Sequence, residues 1–90
     1  MSYVKTQYGE VLMARIVDGD KLNLIGENVK RLRKLNQMSQ QELSVKLELL
    51  GVYICRGSIS RVEDQTRTVT DIELLAIAKV FGVDIQELFK

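Results

Sequence analysis

Residues 56–65 read RGSISRVEDQ, and the two sides of this stretch differ in kind. At about 100° per residue, Ile59 and Val62 fall on one side of a helix. Gly57, Ser60, Arg61 and Asp64 gather on the other. The spacing predicts a short helix over residues 56–64. Its aliphatic side packs inward, and its small and basic residues face out.

Working upstream, SQQEL at residues 39–43 places Ser39 three residues before Glu42. That is a capping box, in which the serine and the glutamate satisfy each other's free backbone N–H groups. It predicts a helix over 39–50 with Leu43, Leu47 and Leu50 turned inward. Gly51 ends it, because glycine enters the left-handed conformation at low cost. Ser44, Gly57 and Ser58 are small and allow this helix and the next to approach closely. Ile25, Val29 and Leu32 recur at spacings of four and three, which predicts a first helix over about 24–35 with Asn23 as a candidate N-cap.

Downstream, TDIE at 70–73 repeats the box with Thr70 and Glu73. The helix it opens, DIELLAIAKVF, carries Leu74, Leu75, Ala78 and Phe81 on overlapping faces and stops at Gly82. DIQELF at 84–89 is a third box, Asp84 with Glu87, before a short last helix. Five helices joined by short connections predict a compact all-α domain over residues 23–90. Residues 1–22 differ. They are rich in β-branched and aromatic residues, with Gly9 and the DGD run at 18–20 as turn signals. They form an N-terminal extension, read either as one or two strands that pair with a partner chain or as a loose segment. Met13 is an alternative start, with the residues before it an upstream or artificial addition.

Composition narrows the chemistry. The chain has 90 residues, room for one modest core, and it lacks proline, which suits helices. One cysteine cannot form an internal disulfide, so a reducing cytoplasm is the expected setting. No run of residues reaches the ~18 apolar positions of a membrane span. Histidine is absent. With it go the commonest general base and neutral metal ligand, and no phosphate loop or nucleophile elbow is present. No enzyme activity, no metal and no cofactor are therefore expected. The net charge is only +1, but it is unevenly spread. Lys30, Arg31, Arg33 and Lys34 make the first helix basic, whereas Asp71, Glu73, Asp84 and Glu87 make the C-terminal part acidic. One face is suited to an anionic partner.

Taken together, LRKLNQMSQQEL, ISRVED and VTDIELLAIAKVFGVDIQELF resemble the phage-repressor and Cro type of helix-turn-helix proteins, the XRE group. The resemblance covers nearly everything from Gly26 to Phe89. It implies a five-helix, lambda-repressor-like domain that binds double-stranded DNA as a transcriptional regulator, usually a repressor, and commonly as a homodimer. Position by position, it implies that Arg56, Gly57, Ser60 and Arg61 face the DNA groove and that Gln40 touches the backbone or a base edge beside it. Ser39 and Lys34 become phosphate neighbours, and Arg33 with Glu63 an internal ion pair. The residue chemistry agrees. Arginine can offer guanine two parallel donors, a serine lets the helix sit close, and a glycine leaves room for a phosphate or a thymine methyl.

Three departures accompany the resemblance. The connection between SQQEL and ISRVE is about five residues longer than is usual, judged against the family's short turn. Its Leu49, Leu50, Val52 and Ile54 are apolar and are expected to pack. Gln65 stands where a glycine is usual, so the turn there either strains a glutamine or changes shape. Cys55 replaces a Ser or Thr cap and is expected to be semi-buried. Two other functions compete with the regulator. One is an antitoxin-like protein that also binds a partner protein, through residues 1–22. The other is a helical interaction module that has lost DNA. In the last helix, Ile85, Leu88 and Phe89 form a candidate dimer surface, with Ile85 the residue most expected to join the core.

Overall fold

A computed structural model describes residues 2–7, 9–13 and 19–90. Four α-helices and one terminal 3-10 helix build the body: α1 (Gly26–Leu35), α2 (Gln40–Leu49), α3 (Arg56–Glu63), α4 (Asp71–Phe81) and the 3-10 turn Ile85–Phe89. Helix α1 packs on α3, α4 and the 3-10 turn, while α2 packs on α3 and α4. The shared core holds Ile25, Val29, Leu32, Leu43, Leu47, Ile54, Ile59, Val62, Ala76, Ile77, Ala78 and Leu88.

The capping boxes at Ser39 and Thr70 both form, with each side chain accepting from the N–H three residues on. The third expected box does not. Asp84 makes no side-chain cap, and the last helix tightens to 3-10 geometry instead. Glu87 turns to Lys90 Nζ rather than back to the Asp84 backbone. Asn28 then pins this terminus, its Nδ2 donating to the carbonyls of Leu88 at 2.9 Å and Lys90 at 2.7 Å.

Helix α1 starts two residues later than its apolar spacing predicts, because Asn23 shapes the turn before it. Asn23 Oδ1 accepts from the N–H groups of Ile25 and Gly26 at 3.1 and 2.8 Å, an Asx-type turn. Its Nδ2 donates to Val62 O and Arg67 O, joining the chain ahead of α1 to the end of α3. Gly26 permits this junction. A Cβ there would overlap the Val62 carbonyl oxygen and lie 3.0 Å from that of Glu63.

The long connection packs only in part. Ile54 is in the core and Val52 lies against it, but Leu49 and Leu50 are 82 % and 49 % exposed. The expected inward place of Leu50 is thus corrected. Helix α2 ends at Leu49 and the backbone turns away at Gly51, φ +84°, so the connection supplies Ile54 to the core instead. Ser44, buried on α2, fixes this route by donating from Oγ to Ile54 O at 2.6 Å. Leu75 on α4 also faces out. After α3, Gln65 adopts the left-handed conformation at φ 64°. The usual glycine geometry is kept with a side chain in place, and that side chain donates to Asn23 O at 3.1 Å.

Within the N-terminal extension, β1 (Ser2–Thr6) and β2 (Gly9–Met13) form an antiparallel two-stranded sheet in the register Ser2↔Met13 to Thr6↔Gly9. The strand reading of residues 1–22 therefore describes these ten positions. Residues 1, 8 and 14–18 of the expected extension lie outside the described residues.

Candidate nucleic-acid interface

Helix α3 is braced from behind. Ile59 and Val62 are each 2 % exposed, and Ile54 precedes them into the same core. Its other side is open. Arg56, Gly57 and Arg61 are exposed, and Ser60 is half-buried. A Cβ placed on Gly57 would meet no atom within 4 Å, so the surface there is clear of the protein's own chain.

At the first turn of α3 the polar groups link to one another. Arg61 Nη2 donates to Ser58 Oγ at 3.0 Å, and Cys55 Sγ lies 3.4 Å from the same oxygen. Cys55 is exposed rather than semi-buried, because as N-cap it sits outside the packed side of the helix. Its side chain makes no cap bond. The thiol is held below its ordinary value of 9.0, first by hydrogen bonding with the Ser58 side chain and then by the Ser58 and Gly57 backbone. As a thiol it donates to Ser58 Oγ, and once ionised it accepts from these groups.

Beneath this surface, Arg33 reaches from α1 to Glu63 on α3. Its Nε and Nη2 bind Oε2 and Oε1 at 2.7 and 3.0 Å, and the two side chains are only 10 % and 2 % exposed. Arg33 Nη1 also donates to Met38 O, which fixes the turn into α2. The hydrogen bonds that Arg33 donates to Glu63 raise its pKa above the ordinary value, so the guanidinium stays charged. Gln40 Nε2 adds a third donor to the carboxylate, at 3.1 Å from Glu63 Oε1. One buried carboxylate therefore ties α1, α2 and α3 together and orients Gln40 on the first turn of α2.

Ser39 acts as the cap of α2: its Oγ accepts from Glu42 N, and Glu42 Oε1 accepts from Ser39 N. The Ser39 backbone N–H first, and the Ser39 side chain second, hold the Glu42 carboxyl below its ordinary value. Lys30, Arg31 and Lys34 are exposed on α1, and Arg31 Nε donates to Asn28 Oδ1. Lys34 follows Arg33 directly, on the helix that packs against α3.

Sequence patterns did not point to Ser58 as a partner of Arg61, to Gly26 as a close-approach residue, or to the Asn23 network. Nor did they point to Arg67, which grips Glu73 with two parallel bonds of 3.0 and 2.8 Å and joins the α3–α4 loop to α4. Of these, Asn23 carries a sequence signal as the candidate N-cap and Ser58 as a small residue, whereas Gly26 and Arg67 carry none. Among the described residues no group of three or more His, Cys, Asp or Glu is placed to hold a metal ion. No described helix is long and apolar enough to cross a membrane.

Comparison with known proteins gives a consistent result. The family model described as helix-turn-helix matches residues 29–88. Among solved structures, the chain is similar to the P22 c2 repressor protein, crystallised in complex with synthetic operator 9T in the presence of Tl+. The identity is 26 % and the TM-score 0.63, over 76 % of this chain and 96 % of the P22 chain. Comparison with curated proteins gives no match.

Proposed function

The chain belongs to the helix-turn-helix family of DNA-binding regulators, and from that premise we propose that it is a sequence-specific transcriptional repressor that reads a DNA major groove with α3. One observation carries the reading: α3 spends its aliphatic side on the core and leaves Arg56, Gly57 and Arg61 clear of the chain.

Arg56 and Arg61 each have the donor fork that fits guanine O6 and N7. Gly57 and Ser60 let the helix backbone come close to base edges. Gln40, Ser39 and Lys34 are assigned to the phosphate backbone, helped by the free N–H groups at the start of α2. Lys30 and Arg31 add sequence-independent attraction. Two copies act together on a two-fold site in the cytoplasm, and Phe89, half-exposed at the terminus, supports a dimer contact there. Ile85 is 38 % exposed and joins Phe89, whereas Leu88 is fully buried, which reverses the parts expected of these two residues. No catalytic step and no cofactor are part of this reading.

Selection from a pool of random duplexes tests it. The expected result is an enriched two-fold sequence bound with a steep loss of affinity as salt rises. Arg61→Ala then costs about 1–3 kcal/mol on the enriched site and relaxes one base preference. Lys30→Ala weakens all sequences alike. A pool that yields no preferred sequence, with binding that ignores salt, refutes the proposal.

A further inference from the structure

Arginine side chains on an exposed helix face have many rotamers, and most do not aim at a base. Arg61 is restrained. Its Nη2 donates to Ser58 Oγ at 3.0 Å, one turn earlier on α3, where the two residues are neighbours on the helix surface. Ser58 is itself only half-exposed, between the buried Ile59 and the open Gly57. It is therefore a firmer anchor than a solvated side chain.

The donor inventory makes this restraint useful. A guanidinium has five N–H donors, four of which form two adjacent pairs that share the Nη2 atom, one hydrogen each. The Ser58 bond uses one hydrogen of Nη2. Whichever of the two it uses, one complete pair remains free for bidentate contact. Ser58 thus selects the pair without disabling the arginine. Cys55 Sγ, 3.4 Å from the same hydroxyl, donates to it from the N-cap position.

We propose that Ser58 is a positioning residue that sets the base preference of Arg61, holding one edge of its guanidinium toward the groove. This inference rests on the major-groove reading of α3 above and extends it to a residue that packing alone does not explain. Ser58 contributes no core side chain and no cap. Its effect is therefore expected in base discrimination rather than in folding.

The experiment uses the full chain and a duplex enriched from a random pool, with single-base variants of that duplex. Ser58→Ala, Ser58→Thr and Arg61→Ala are measured singly, and Ser58→Ala is combined with Arg61→Ala. Ser58→Ala is expected to lower the ratio of enriched-site to variant-site affinity by about threefold to tenfold at the one base pair that Arg61 reads, the range of a single hydrogen bond. Thr, which keeps the hydroxyl, restores the ratio. In the Arg61→Ala background the Ser58 change has no further effect on it. The inference is overturned if Ser58→Ala lowers affinity equally for all duplexes, or if its effect persists without Arg61. Were the wild-type chain to enrich no sequence, the groove reading itself would fall. Enrichment with an Arg61 preference that ignores Ser58 would sink only the positioning role.

Discussion

Two glycines separate folding from contact at the level of single residues. Gly26 is closed in by backbone, since a Cβ there meets the carbonyl oxygens of Val62 and Glu63, which cannot move without shifting the end of α3. Gly57 has open space around it. Gly26→Ala is expected to destabilise the chain by about 1–3 kcal/mol, the usual cost of overpacking. Gly57→Ala is expected to leave folding intact or stabilise it by up to about 1 kcal/mol through helix propensity. It nonetheless weakens DNA binding by putting a methyl between α3 and its target. Urea unfolding read beside a gel-shift titration checks both. A Gly57→Ala variant that binds DNA as wild type does would show that α3 does not approach closely there. Gln65 makes a related point. A left-handed non-glycine residue costs about 1 kcal/mol, and the hydrogen bond that its side-chain Nε2 donates to Asn23 O offsets a similar amount. The substitution for glycine was visible in the sequence; the compensation was not, because Asn23 is 42 residues away along the chain.

Helix starts are the elements most legible from sequence, because a capping box closes within four residues and asks nothing of the rest of the fold. The boxes at Ser39 and Thr70 form, and each helix begins where its box places it. Burial is less legible. Leu50 and Leu75 satisfy the helical spacing as well as Leu43 and Leu47 do, and only the packing of α2 against α3 and α4 decides which of them goes inside. The same limit applies to the site: the outward place of Arg61 on α3 follows from periodicity and that of Arg56 only from the resemblance, whereas Ser58 matters only once the rotamer of Arg61 is known. The start of α4 gives an element-level test. Arg67 is the first cause, and the Thr70 backbone a further one, holding the Glu73 carboxyl below its ordinary value of 4.5. A carboxyl depressed on folding binds fewer protons in the native state. Its contribution to stability is therefore full above pH 4.5 and is lost as pH falls through the lower folded value. Glu73→Gln is expected to lower the urea midpoint at pH 7 and to narrow its gap from wild type at pH 3.5. An equal gap at both pH values would assign the loss to the cap alone.

At the scale of the whole molecule, the buried Arg33–Glu63 pair joins three helices that share few other polar contacts. Removing one partner leaves a charge in the core, which costs about 3–5 kcal/mol. That is a large share of the roughly 5–15 kcal/mol that holds a domain of this size. Arg33→Ala is thus expected to lose DNA binding together with helical circular dichroism on mild heating, unlike Arg61→Ala, which loses binding while folded. The N-terminal strands stand differently toward this body. The first described residues to tie into it are Leu22, whose N–H donates to Gln65 O at 2.9 Å, and Asn23 with its bonds to Val62 O and Arg67 O. The strands make their extensive contacts with each other, and a two-stranded hairpin by itself adds little stability in water. A chain beginning at Gly19 is therefore expected to match the full chain in urea unfolding free energy within about 0.5 kcal/mol, the scatter of substitutions that touch no core feature. A deficit above about 1 kcal/mol, comparable to losing a helix cap, would instead make the hairpin part of the helical body and overturn the expected boundary at residue 22.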